Sequence, residues 1–240
     1  MAPEVTIAID PHVHSEGSYD GHEPVELLLA QASDIGLDGI VVTDHDAIVE
    51  SLRAAELAPE YGLVGIPGVE VSTAAGHLLA IGVEERPDPH RPLDETVAEV
   101  RDAGGAAVVP HPFQRTRHGV RKGHITDCDA IEVYNAWIFT GYRNRRARQF
   151  AARNDYPGVA ASDAHSAKYL GRAYTELTVQ GVSSKAELDR ERIVEALAEG
   201  NAEIHGRRQP LPRSARHYAL GAGRKVGHGV AASMSSLARF

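Results

Sequence analysis

The chain has 240 residues, of which 42% are hydrophobic and 24% charged, with a net charge of −8. That is the make-up of an ordinary soluble globular protein: one large α/β domain, or one of about 200 residues with a tail. No apolar run approaches the ~20 residues of a membrane helix. Met1-Ala2-Pro3-Glu4 leads straight into a strand with no basic region or long apolar stretch, so neither a membrane partner nor a signal peptide is expected. Cys128 is the single cysteine, which excludes an internal disulfide and a cysteine-based zinc site. No disulfide partner is expected, and a cytoplasmic setting follows as the default.

Charge is unevenly placed. Beyond His205 there are seven Arg or Lys and no acid, so the part up to His205 carries −15 and the remainder +7. An acidic body with a basic tail is compatible with an anionic polymer partner. The plainer reading is a tail that docks on the body or stays solvated.

In chain order, β-branched content predicts a buried strand over Val5–Asp10, followed by a polar loop from Pro11 to Glu23. Pro24 suits the first turn of a helix over Val25–Ile35, which Gly36 stops. A strand over Gly39–Thr43 ends at Asp44-His45-Asp46, and a helix over Ile48–Ala58 follows. Leu63–Val71 is a strand region interrupted by Pro67-Gly68 and carrying Glu70. His77–Val83 is a further strand, and Leu93–Ala103 a helix. Ala106–Val109 is a strand that ends at Pro110-His111-Pro112, and Ala130–Tyr134 another strand. An arginine-rich helix spans Gly141–Asn154. Gly158–Ala161 is a strand that ends at Ser162-Asp163-Ala164-His165. Tyr174–Val179 and Arg192–Ala198 add a strand and a helix.

This alternation predicts an α/β fold with parallel strands and crossover helices, either a (β/α) barrel or a doubly wound sheet. His12 with His14, His45, His111, and Asp163 with His165 each follow the end of a different strand. A barrel brings such ends to one face, whereas an open sheet spreads them along an edge. A barrel over residues 1–205 is therefore expected, with a basic, Gly- and Pro-containing extension over 206–240.

Nine side chains are candidate metal ligands: His12, His14, Asp20, His45, Glu70, His77, His111, Asp163 and His165. A set of imidazoles and carboxylates without thiolate suits Zn²⁺, Mn²⁺ or Fe²⁺. Nine are too many for one ion and suit two or three, with Glu70 bridging. Ions about 3.5–4 Å apart can hold a shared hydroxide and clamp a phosphoryl oxygen during in-line attack. Each residue has a plainer role when taken alone. A lone loop histidine is usually exposed, Asp44 can cap a helix, and Asp163 can cap a turn. Glu70 in an apolar strand needs a partner, because a buried unpaired carboxylate is costly. His77 precedes its strand and so falls outside the strand-end pattern.

Asp10-Pro11-His12-Val13-His14-Ser15, Thr43-Asp44-His45-Asp46, Gly68-Val69-Glu70-Val71-Ser72, His111-Pro112 and Ser162-Asp163-Ala164-His165 resemble, in order, the motifs of the PHP (polymerase and histidinol phosphatase) family. The resemblance covers about residues 5 to 180 and is nearest to small stand-alone metal-dependent phosphoesterases. It implies a distorted (β/α)7 TIM-like barrel with a trinuclear metal centre. By motif, His12, His14, Glu70 and Asp163 would hold one ion, Glu70, His77 and His111 a second, and Asp20, His45 and His165 a third. Pro11 stands where a leucine is commoner. Small members that share Gly-Val-Glu-Val-Ser-Thr carry a long insert after the glutamate. Here 40 residues lie between Glu70 and His111, so a substrate-capping insert is not expected.

On the substrate side, Arg115, Arg117, Arg121 and Lys122 follow His111, and Arg115 is the expected phosphate contact. Asn135 and Trp137 end a strand and could touch a substrate ring. Arg172 lies in Gly171-Arg172-Ala173-Tyr174-Thr175, which resembles a segment of short family members where the arginine faces substrate. The leading function is hydrolysis of phosphomonoesters or of nucleotide or oligonucleotide phosphoesters. A hydroxide held by the ions would attack phosphorus, with Glu70, Asp163 and His165 as catalytic residues. Partners would be a small phosphorylated substrate or a short nucleic acid. Two alternatives stand beside it: metal-dependent hydrolysis of a C–N or C–O bond, and a non-catalytic subunit of a nucleic-acid-processing complex. The latter would be expected to have lost ligands.

Overall fold

The computed structural model describes residues 3–138 and 141–207. Beyond Arg207, the expected C-terminal extension lies outside the described residues. The elements are β1 (Glu4–Val13), α1 (Val25–Asp34), β2 (Gly39–Val42), α2 (Val49–Leu57), β3 (Val64–Gly65), β4 (Gly68–Thr73), β5 (Gly76–Ile81), α3 (Leu93–Asp102), β6 (Ala106–Val109), β7 (Ala130–Asn135), α4 (Gly141–Arg153), β8 (Gly158–Ala161), β9 (Ala173–Gln180), α5 (Arg190–Glu199) and β10 (Ala202–Gly206).

The helices form where apolar residues recur every three or four positions. α1 buries Val25, Leu28, Leu29 and Ala32, and α3 buries Leu93, Thr96, Val97 and Val100. α5 begins where Asp189 Oδ1 accepts from Arg192 N at 2.9 Å and ends at Gly200 in the left-handed conformation. Among the described residues, no helix is long and apolar enough to cross a membrane.

The strands hydrogen-bond as two five-stranded sheets, β10-β9-β1-β2-β3 and β4-β5-β6-β7-β8, and not as the expected closed ring. Two local causes account for this. β9 runs antiparallel along β1 from Glu4 opposite Gln180 to Ile9 opposite Thr175. It therefore occupies the edge that β8 would need. At the other seam, Pro67 has no N–H to give, and the chain steps from β3 into the second sheet. Gly68 N instead donates to Ser51 Oγ at 2.7 Å.

Isolated bridges stitch the sheets together where the parallel strands terminate. There His14 N donates to Ala164 O at 2.8 Å and Asp46 N to Glu70 O at 3.0 Å. A core of Ile7, Ile9, Val41, Leu79, Ile81 and Val108 lies between the sheets, with Ile193 and Leu197 of α5 packed into it. α1 and α2 cover the first sheet, while α3 and α4 cover the second.

Candidate metal centre

All nine expected ligands come together at the stitched end. β1 is irregular between Asp10 and Val13, and His12 and His14 are both fully buried. His77 arrives differently from the others. β5 is antiparallel to β4 and β6, so its first residues, not its last, lie where the parallel strands end. His111 and Asp163 have φ of +29° and +53°, a costly region for side chains with a Cβ and one that clusters at functional sites.

Glu70 is the hub. Its Oε1 lies 2.7 Å from His77 Nδ1 and 3.0 Å from His111 Nε2. Its Oε2 lies 3.3 Å from His12 Nε2, 3.4 Å from His14 Nε2 and 3.1 Å from His45 Nδ1. Five imidazoles thus face one buried carboxylate. Asp163 Oδ1 lies 3.7, 3.5 and 3.5 Å from His12 Nε2, His14 Nε2 and His165 Nδ1. Asp20 Oδ2 is 3.0 Å from His165 Nε2 and 3.5 Å from His45 Nε2.

Burial and charge set the protonation. Burial, helped by the charge of His165, drives His14 down to about 3, which keeps its ring neutral. Burial would raise Glu70, but the imidazoles of His77, His45 and His12 outweigh it and hold the carboxylate well below its usual range. Asp163 is likewise held low against its burial, first by Arg117 and then by His12. His12 is raised well above the usual imidazole value; burial opposes this, and the carboxylates of Asp163 and Glu70 prevail.

A supporting layer went unrecognised in the sequence. Glu132, buried in β7, faces His12 Nδ1 at 3.1 Å and accepts from His111 N and from Asn135 Nδ2 at 2.9 Å. With an ion bound, a proton kept on His12 Nδ1 by Glu132 would leave Nε2 to face the centre. The signal was available: Glu132 is a glutamate in an apolar strand, as Glu70 is. Arg117, its side chain 9% exposed, forms a two-pronged ion pair with Asp163, with Nη2 to Oδ1 at 2.9 Å and Nη1 on Oδ2. Asp44 accepts from Ser15 N at 2.7 Å and from Ser15 Oγ. It braces the loop after His14 and does not cap α2, whose first residue is Val49. Asp10 accepts from Ser162 N at 2.9 Å and Gly171 N at 3.0 Å, tying β1 to the Asp163 loop.

The expected substrate contacts are redistributed. Arg115 does line the cleft beside the centre, a space of about 510 Å³ that also borders Tyr19, His45, His77 and His118. Asn135 does not reach it. It is fully buried, with its Nδ2 committed to Glu132 and, at 2.8 Å, to Asp163 Oδ2. Arg172 lies over Tyr169, which packs edge-on against Trp137, which in turn stacks on His165. Tyr19 and His118, not expected at the site, stack on His45 and His77 with centroids 4.8 and 5.2 Å apart.

Residues 141–202 match the family model described as PHP-associated. The chain superposes on a two-domain protein of Bacteroides vulgatus containing a predicted PHP-like metal-dependent phosphoesterase, with a TM-score of 0.66 and 21% identity, over 88% of this chain and 69% of that one. Both findings make the chain similar to PHP-domain proteins. An uncharacterised protein of Methanocaldococcus jannaschii is 26% identical over 58% of this chain and 87% of its own length. The phosphoribosyl 1,2-cyclic phosphate 1,2-diphosphodiesterase of Eggerthella lenta is 37% identical over 32% of this chain and 31% of its own. Other curated relatives are matched over about half their length or less.

The donors of this site fit divalent cations. They are nitrogen and oxygen atoms only, His14 is held neutral, and the buried Nδ1 of His111 has no hydrogen-bond partner. Ligand atoms lie within 4.8 Å of one another in His14, Asp20, His45 and His165; in His12, His111 and Asp163; in His12, His14 and Glu70; and in His45, Glu70 and His77. These groups cut across the division implied by the motifs: His14 sits with the Asp20 group as well as with Glu70.

Proposed function

We propose that this protein is a PHP-domain hydrolase that cleaves phosphoesters with two or three divalent ions (Zn²⁺, Mn²⁺ or Fe²⁺) held by the nine side chains. The observation that carries the reading is Glu70, whose two oxygens each face different imidazoles, as a carboxylate shared between ions would. The names borne by the Bacteroides and Eggerthella proteins point the same way. Such ions supply Lewis acidity at a phosphoryl oxygen and lower the pKa of water.

The chain's own groups prepare that chemistry. Glu132 sets the His12 tautomer. His165 Nδ1 lies 2.9 Å from the Asp163 carbonyl, which leaves its Nε2 toward Asp20. Asn135 and Arg117 hold Asp163 Oδ2, and Arg117 also donates to Oδ1, the oxygen that faces the histidines. Arg115, on the cleft wall, is placed to take phosphate oxygens. We read the two stitched sheets as a distorted (β/α)7 barrel that ends with β10, and the basic remainder as an extension.

The test is phosphate release from a generic aryl phosphate with added Mn²⁺. Activity is expected in the native chain, falling to background in His14→Ala and in Asp163→Ala. Full activity after chelation and dialysis would overturn the reading.

A further inference from the structure

Residues 103–126 and 133–154 together contain nine Arg and Lys and no Asp or Glu, in a chain of net charge −8. The fold places these two stretches against each other. Phe113 meets Phe150 edge-on at 5.4 Å, Arg146 lies 5.0 Å over Phe113, and Lys122 lies 6.0 Å over Phe150. Arg143 donates to the Phe113 carbonyl. The loop between β6 and β7 and the start of α4 therefore form one basic face. It is continuous with the centre, because Arg117 of the same loop grips Asp163 and Arg115 and Arg121 line the cleft.

Several surface arginines elsewhere are paired with acids: Arg53 with Glu26 and Glu50, Arg101 with Asp127 and Asp129, and Arg190 with Glu84 and Glu191. On this face Arg143 and Arg146 are turned to a carbonyl and to ring faces, and Arg145 and Arg148 are exposed. Apart from Arg117, whose charge Asp163 meets, eight cations cluster here in two stretches that contain no acid, which is costly in self-repulsion unless a polyanion covers them.

We infer that this face binds single-stranded nucleic acid and feeds its end to the Glu70 centre. Tyr142, 63% exposed and lying 5.8 Å from Arg146, offers a ring for a base to stack on. His45 and His77 of the centre line a cleft of about 510 Å³, which an unpaired strand end can enter. An anionic membrane fits less well. The exposed aliphatic side chains Leu27, Ile35, Val49 and Leu52 lie on or beside α1 and α2, away from this face.

The catalytic part of this inference rests on the phosphoesterase reading; the binding part does not. The test is anisotropy of a labelled, 5′-phosphorylated single strand of about ten nucleotides. It uses the full chain with chelator present, between about 50 and 200 mM salt. In Arg145→Glu/Arg148→Glu, binding is expected to weaken about ten-fold or more, and the salt slope to fall by about 0.7 per lost phosphate contact. Turnover of the aryl phosphate should stay unchanged. Arg145→Gln/Arg148→Gln should show the same sign, which guards against misfolding of the reversed-charge variant. The basic C-terminal stretch is present in every variant, so the difference between them reports the face alone.

Equal strand binding by native and variant proteins would overturn the inference. So would binding to phosphatidylglycerol vesicles but not to the strand. Strand binding without any hydrolysis would overturn the phosphoesterase reading and leave the face assigned. Aryl phosphate hydrolysis without strand binding would do the reverse.

Discussion

The Glu70 centre and the Glu176, Glu203 and His205 group on β9 and β10 contain the same kinds of side chain. In both, ligand atoms lie within 4.8 Å of one another. They differ in what surrounds them. The Glu70 side chain is 1% exposed and that of His12 is fully buried, whereas Glu176, Glu203 and His205 are 34, 77 and 31% exposed. Around Glu70 a buried layer braces part of the set: Glu132 behind His12, Arg117 and Asn135 behind Asp163, and Asp44 on the loop after His14. Behind His205 there is a stacked Tyr174 ring. Proximity of donors is thus common to both groups, while burial and orientation belong to one. Orientation is what a metal ion selects, since ligating atoms must be held deprotonated and aimed.

The largest expected effect comes from breaking the hub. Glu70→Gln keeps the shape but removes the charge shared by five imidazoles. Metal content should fall in elemental analysis and phosphoester hydrolysis should drop to background. Metal added at about a hundred times Kd should stabilise the native protein by about 2.7 kcal/mol, and that gain should vanish in the variant's thermal unfolding. Native-like metal content in Glu70→Gln would remove Glu70 from the centre.

A smaller effect should come from Glu132→Gln, which leaves every candidate ligand in place and disturbs only the partner of His12 Nδ1. Loss of such an orienting carboxylate typically costs about 10–100-fold in metal affinity or activity. Titration of the metal-stripped protein checks this. An unchanged affinity would mean that the buried layer contributes packing alone, and the contrast with the exposed group would then rest on burial.

Much of this contrast was legible in the sequence, for a physical reason. Buried parallel strands are short β-branched runs, and the polar residues just beyond them must fall on one face. That logic reached His12, His14, His45, His111, Asp163 and His165. It could not reach His77, whose place depends on β5 running antiparallel, a matter of pairing partners and not of local composition. It missed the two-sheet arrangement for a related reason: the Tyr174–Val179 strand reads the same whichever direction it runs, yet as antiparallel β9 it takes the free edge of β1. Asn135 and Arg117 both hold Asp163, which the sequence did not show because it places both near the centre without saying which atom turns inward. The left-handed φ of +54° at His118 and a bed on Trp137 put Arg117 on Asp163, and neither can be read from a basic loop. Glu132 was within reach, since a glutamate in an apolar strand requires a partner wherever it occurs.

The smallest effect is expected at the exposed group. Glu203 stands directly opposite Glu176 on the neighbouring strand, and like charges in that position repel. His205 Nε2 lies 3.1 Å from Glu176 and 3.8 Å from Glu203, a pairing that water and salt screen. Glu203→Ala removes one side of the repulsion along with a weak attraction, so the two nearly cancel. Its unfolding free energy should stay within about 0.5 kcal/mol of the native value, as should that of His205→Ala. Metal content and hydrolysis should be unaltered in both. A variant here that lost one ion per chain would show that three ligand-type side chains on an open strand pair suffice, and that the layer behind the Glu70 centre is not what distinguishes it.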